Sequence, residues 1–292
     1  MTLLSSPQGT PERVWSLVAG LSALGGASAR ATYDALLNPG FGRDGVEVKA
    51  KATLAADAHN AALSLALVEG ARDQINLVAT LPDSFAGFAD LVHDRLIGLA
   101  SGDGDAVILE GYAWVVVESD RQNGMQWIYQ AGREEFAELA NSGLTGKEMN
   151  STKAVAWRRW LAFLGLGVPM PTERSAPDFP SPAMRILREL ERAEIVAGST
   201  LPAAEFIALV ARRMPYLDRG RLFTQACQRI GHAAPANRLS PLLSAALRDL
   251  HDDQSLRLVP SGDAADRVRL SEDASHAIDA FTTVVVFPGS AS

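Results

Sequence analysis

Between Ser240 and Leu270 the hydrophobic period of the chain changes once, and no other feature constrains the fold as strongly. Ser240 and Pro241 form an N-cap and first-turn pair. Leu243, Ala246, Leu247 and Leu250 follow at helical spacing, which predicts an amphipathic helix with those residues inward. After Asp252-Asp253 the period drops to two. Leu256, Leu258, Val268 and Leu270 point one way and Arg257, Arg267 and Arg269 the other, across a turn from Pro260 to Asp266. This predicts a helix followed by a two-stranded hairpin with three arginines on its outer face.

Upstream, the spacing predicts helices over Met184 to Val196, over Pro202 to Met214 with Phe206, Ile207 and Val210 inward, and over Arg219 to Ile230. Helices followed by a hairpin are the order of a winged helix, in which the hairpin is the wing behind a recognition helix. A weaker version of the pattern opens the chain. Thr10 and Pro11 start a helix with Val14, Leu17, Val18 and Leu21 inward, and Gly25-Gly26 stops it. Ser28 is placed to cap a second helix burying Tyr33, Leu36 and Leu37, ended by Asn38-Pro39-Gly40. A third runs from about Ala55 to Val68 with Ala58, Ala62, Leu65 and Ala66 inward, before a strand-like Ile75 to Thr80.

The middle of the chain adds a helix from Asp83 or Ser84 with the stripe Phe85, Phe88, Val92 and Leu96. Residues 106–118 are ambiguous: the run Val115-Val116-Val117 favours a strand, the length a buried helix. Next comes a helix after Asn150 with Trp157, Trp160, Leu161 and Leu164 inward. Pro169 to Pro182 reads as a linker. The expected organisation is mainly α with small β-hairpins, as tandem winged-helix-like modules: residues 1–80, a helical module 81–170, a linker 171–182 and a module 183–292.

Composition narrows the function. With 27 Lys and Arg against 34 Asp and Glu, the net charge of −7 excludes binding of nucleic acid through the overall field, so any such contact is local. The single cysteine, Cys227, excludes a disulfide framework and multi-cysteine metal sites, and it sits on a helical stripe with Leu222, Phe223, Ala226 and Ile230. No segment reads as a signal peptide or a membrane span, so the cytoplasm is the expected address.

Catalytic spacings fail one by one. Gly143-Leu-Thr-Gly-Lys lacks the glycine and the hydroxyl of a phosphate loop, having Asn141 and Glu148 there. Asp103 and Asp105 do not continue into a calcium loop. His59, His93, His232, His251 and His276 are scattered, without metal-ligand spacing. No catalytic residue, cofactor or metal is therefore expected.

Two places offer a polyanion local contact. Asn150, Ser151, Thr152 and Lys153 lie at a helix start, where free N–H groups and the dipole favour a phosphate, with Arg159 farther along; the competing reading is an ordinary capped core helix. Arg257, Arg267 and Arg269 suit the DNA backbone from the wing, unless that face is simply solvated and balanced by Asp263 and Asp266. Arg248 on the preceding helix is a further candidate, although the acids beside it, Asp249, Asp252 and Asp253, make a poor surface for base edges.

The N-terminal helical unit, the segment Asn150-Ser-Thr-Lys followed by Trp157-Arg-Arg-Trp-Leu-Ala-Phe-Leu-Gly-Leu-Gly, and the closing helix and hairpin around Leu247 to Leu270 together resemble DpdG-type proteins. These belong to bacterial gene clusters that modify DNA with deazaguanines and restrict foreign DNA. The resemblance implies a role in anti-phage defence beside a helicase or nuclease supplied by other chains, and it carries over no catalytic residue. Two functions remain open: a DNA-engaging adaptor that contacts the backbone of double-stranded DNA, or an assembly subunit whose modules bind partner proteins, a second copy in a homodimer included.

Overall fold

The computed structural model describes residues 2–37, 53–70, 73–144, 148–168, 179–260 and 267–287. In chain order, α1 (Pro11–Ala23), β1 (Ala27–Ala29), α2 (Arg30–Leu37), α3 (Thr53–Ser64), β2 (Val68–Glu69), β3 (Gln74–Leu77) and α4 (Phe85–Ile97) come first. They are followed by α5 (Val107–Arg121), α6 (Gln126–Gln130), α7 (Arg133–Gly143), α8 (Ser151–Leu164), β4 (Gly167–Val168) and β5 (Phe179–Pro180). The last stretch holds α9 (Ala183–Arg192), β6 (Thr200–Pro202), α10 (Ala203–Arg213), α11 (Arg221–Ile230), α12 (Pro241–Asp252), β7 (Leu256–Val259), β8 (Val268–Arg269), β9 (Ala280–Phe281) and β10 (Thr283–Val286). The chain is mainly helical with small antiparallel sheets.

Contacts group these elements into two compact units, one of Met1–Ala106 with Thr152–Leu164, the other of Val107–Ser151 with Gly165–Ser292. In the first, the sheet order is β1-β3-β2, with Ala27 opposite Asn76 and Val68 opposite Leu77. From α1 to β3 the elements run helix, strand, helix, helix, strand, strand, with the last strand in the middle of the sheet. Ser28, expected to cap a helix, lies in β1 instead. Gly25 and Gly26 both take positive φ (83° and 87°), a backbone open to glycine, and turn the chain back along β3. α3 ends at Ser64, and Ala66 faces outward at φ 50° rather than inward on a longer helix. Tyr33 donates its hydroxyl to the Leu17 carbonyl, fastening α2 to α1. Trp15, Phe85, Phe88 and Phe163 form an aromatic cluster with Trp15–Phe88 and Phe85–Phe163 centroids 5.2 and 4.9 Å apart, which ties α8 to α1 and α4. The side chains of Leu36 and Leu37 lie outside the described residues.

The second unit is built around α5. The ambiguous 106–118 segment is this helix, and Val107 to Asp120 are all buried, so its β-branched run packs in the interior of a helical core. α11, α12 and α7 lie against it. Trp114 meets Trp127 and Phe136 edge-on at 5.4 and 5.8 Å, and Tyr112 meets Tyr216 at 5.4 Å. The sheet order here is β6-β10-β7, with Val284 opposite both Leu201 and Leu258. Helix, strand, helix, helix, strand, strand recurs over α9, β6, α10, α12, β7 and β10, with α11 inserted before α12 and a small β8-β9 ribbon between β7 and β10.

The C-terminal hairpin is paired differently from the expectation. β7 pairs with β10, and β8 pairs with β9 through Val268–Phe281 and Arg269–Ala280, so Leu256–Val259 and Val268–Leu270 are not partners. The alternation itself holds, since Leu256, Leu258, Val268 and Leu270 are buried and Arg257, Arg267 and Arg269 exposed. A period of two gives the facing of a strand but not its neighbour. Residues 274–278 form a turn. The Thr282 to Phe287 stretch completes the sheet as its central strand. Most of the Pro169 to Pro182 linker lies outside the described residues.

Candidate nucleic-acid interface

α8 begins at Ser151, which puts Asn150 at the capping position. Asn150, Thr152 and Arg159 are exposed, whereas Ser151 and Lys153 are half-buried; Trp157, Trp160, Leu161 and Leu164 face inward as their spacing requires.

The arginines do not form one face. Arg257 lies on β7 with its guanidinium 5.8 Å from the Phe287 ring centroid, a cation–π distance. Arg267 is 2.8 Å from Asp279, which balances its charge. Arg269 sits on β8, its backbone paired with Asn237 and Leu239. Arg248 is interior, 3% exposed: its Nη2 donates to the Ser271 carbonyl at 2.8 Å, and Nε and Nη2 both donate to the Ile278 carbonyl. That guanidinium ties α12 to the 271–278 segment and is not presented to an outside ligand. Asp263 and Asp266 lie outside the described residues.

Burial concentrates charge elsewhere, at positions not expected to form a site. Glu189 on α9 is 3% exposed and accepts from Arg185 Nη2 at 2.7 Å, Arg192 Nη1 at 2.8 Å and Arg213 Nη1 at 3.1 Å. Asp120, at the end of α5, holds His232 Nε2 at 2.7 Å and Arg238 Nη2 at 3.0 Å. Asp218 accepts from Ser240 N and Oγ at 2.7 and 2.6 Å, and burial still pushes its carboxyl up to about 6. In the first unit, buried Asp105 accepts from Leu3 N and Ser64 Oγ, and burial raises its carboxyl too. A signal was available for some of these: acids inside otherwise apolar helical runs, such as Asp120 after Val115-Val116-Val117, have to find partners when buried.

The thiol of Cys227 is buried, and burial with Asp120 and Asp218 nearby pushes it up to about 11, far from the thiolate a nucleophile requires. His251 Nδ1 accepts from Leu258 N at 3.1 Å, so this ring holds β7 to the end of α12. Among the described residues no helix is long and apolar enough to cross a membrane.

Taken together, fold and site define a mainly helical protein of two units, each with a small three-stranded sheet of the same order, in which the buried groups Glu189, Asp120, Asp218, Asp105 and Arg248 are hydrogen-bonded within the fold. The chain belongs to the DpdG-like family, whose model matches residues 1–264. No match is found among curated proteins or among solved structures.

Proposed function

We infer that the chain is a non-catalytic assembly subunit of a DNA-modification system, and that both units contain winged-helix modules used to engage partner proteins. Membership of the DpdG-like family supports the setting. The recurrent element order, with the last strand central in each sheet, supports the winged-helix reading.

The observation that carries the choice of protein over DNA is the burial of α12. A reading helix must lay a face in the major groove. α12 has α9 and β7 against it and also α5, and its only exposed side chains are Asp249 and Asp252. In the first unit the corresponding helix, α3, carries no lysine or arginine. The adaptor reading keeps one support: Arg159, Arg257 and Arg269 are exposed and suited to phosphate.

A duplex-DNA gel shift over a salt series separates the two. The expected outcome is no shift at low salt that the Arg257→Ala/Arg267→Ala/Arg269→Ala variant alters, with co-elution of the chain and the products co-expressed from its gene cluster, a helicase or nuclease among them. Binding that falls steeply with salt and is lost in the triple variant overturns this in favour of the adaptor. Light scattering on the isolated chain reads the homodimer directly.

A further inference from the structure

A cavity of about 390 Å³ opens in the second unit between the 215–220 turn, α11 and the 234–238 loop. Its size lies within the range of small-molecule sites. Its lining mixes apolar side chains, Phe223, Ala234, Pro235 and Ala236, with the two arginines Arg219 and Arg238. The walls are held by bonds that cross between the two loops. Asp218 accepts twice from Ser240, and Arg219 Nη2 donates to the Ala236 carbonyl at 2.9 Å, which brings its guanidinium to the segment that ends in Arg238. The turn below is tight, since a Cβ on Gly220 would lie 2.3 Å from the Pro215 carbonyl oxygen.

The two guanidiniums differ in how they are occupied. Arg238 gives Nη2 to Asp120, while its Nε–H is buried and without a partner. Arg219 is exposed and stands at φ 65°, a left-handed backbone that a non-glycine residue keeps only when its surroundings impose it. The acids nearby offset these cations only in part. Asp120 is shared by Arg238 and His232, and the Asp218 carboxyl is pushed up to about 6 with both oxygens already bonded.

We propose that this cavity binds a small organic anion with a flat ring system, its phosphate monoester or carboxylate held between Arg219 and Arg238 and its ring laid on Phe223 and Pro235. Guanidinium pairs with either oxyanion through two parallel hydrogen bonds, and an aromatic ring and a proline in the same lining favour a planar body. The site stands independently of the assembly reading, which concerns other surfaces.

Calorimetric titration of the full chain with adenosine 5′-monophosphate and, separately, with indole-3-carboxylate tests it, with adenosine, indole, acetate and inorganic phosphate as fragments. At least one of the two anions is expected to bind saturably with Kd below about 1 mM and about tenfold more tightly than either of its fragments. Arg219→Gly should weaken that binding by about tenfold or more while changing the melting temperature little, because glycine accepts the positive φ without strain and so offsets the lost bond to the Ala236 carbonyl. Which of the two anions binds identifies the oxyanion. Absence of saturable binding by both, binding matched by phosphate or acetate alone, or binding that Arg219→Gly leaves intact overturns the proposal.

Discussion

The module over Pro11–Leu77 and the module over Ala183–Val286 share an order of elements and a sheet topology, yet they handle charge in opposite ways. In the first, ion pairs stay near the surface: Arg30 and Asp34 pair at 3.0 Å with side chains 20% and 41% exposed. In the second, charge is drawn inside, with Arg185 fully buried against Glu189 and Arg248 buried against carbonyls. In the second module α5, α9 and β7 lie against α12, and charged side chains enclosed in such a core need partners within the fold. A shared topology therefore does not dictate how charge is distributed.

The largest expected effect breaks this contrast at the ion pairs. Glu189→Ala removes the carboxylate that three arginines share while Arg185 stays buried, which should cost about 3–5 kcal/mol in urea unfolding. Asp34→Ala in the first module should cost under about 1 kcal/mol, as half-exposed pairs do. Equal losses at the two sites would contradict the account of burial given above.

The next effect is one of sign. Burial lowers His59 on α3 from 6.5 to about 4, with Arg30 adding to the shift and Asp34 opposing it, and burial raises Asp218 to about 6. A histidine whose folded value is depressed takes up its proton more readily when unfolded, so its module loses stability as pH falls from 6.5 through 4. A carboxyl whose folded value is raised holds its proton more tightly when folded. Its contribution is therefore complete below about 4 and is lost as pH rises through about 6. Acidification from pH 6.5 to 4 thus weakens the first module and strengthens the second, each by on the order of 1–3 kcal/mol. Amide exchange of α3 and α12, corrected for intrinsic rates, reads the two slopes. Slopes of the same sign, or slopes that survive in His59→Gln and Asp218→Asn, would break the comparison.

What was legible in the sequence divides along the same line. Helix spans and inward faces came through where a cap preceded a clean apolar stripe, as in α1, α8 and α12, because those signals are local, whereas Phe85 at the head of the α4 stripe is exposed. Facing came through in the arginine segment and pairing did not. Val268–Arg269 finds Ala280–Phe281, and the central strand of the sheet is the Thr283–Val286 stretch, a choice made by tertiary packing. The site residues followed a similar rule: Arg257, Arg267 and Arg269 are exposed as their alternation requires, but Arg248, off the expected inward face of its helix, lies inside, because α12 has a second cover that its own periodicity does not reveal. The return of α8 to the first unit, through Phe163, is equally invisible to a reading made in chain order.

The smallest expected effect tests two identical signatures against each other. Thr10-Pro11 and Ser240-Pro241 both read as a cap followed by proline in the first turn, and both start helices where expected. Only Ser240 bonds as a cap, its Oγ accepting from Leu243 N at 3.3 Å while donating to Asp218. Thr10 makes no side-chain cap bond. Ser240→Ala should therefore cost about 1–3 kcal/mol, because it removes the cap and one donor from a buried carboxyl, whereas Thr10→Ala should stay within about 0.5 kcal/mol. The Ser240→Ala loss should also be smaller at pH 4 than at pH 7, since a protonated Asp218 depends less on that hydroxyl. A loss that is independent of pH would mean that the cap alone matters and that Asp218 draws its support from the Ser240 backbone N–H.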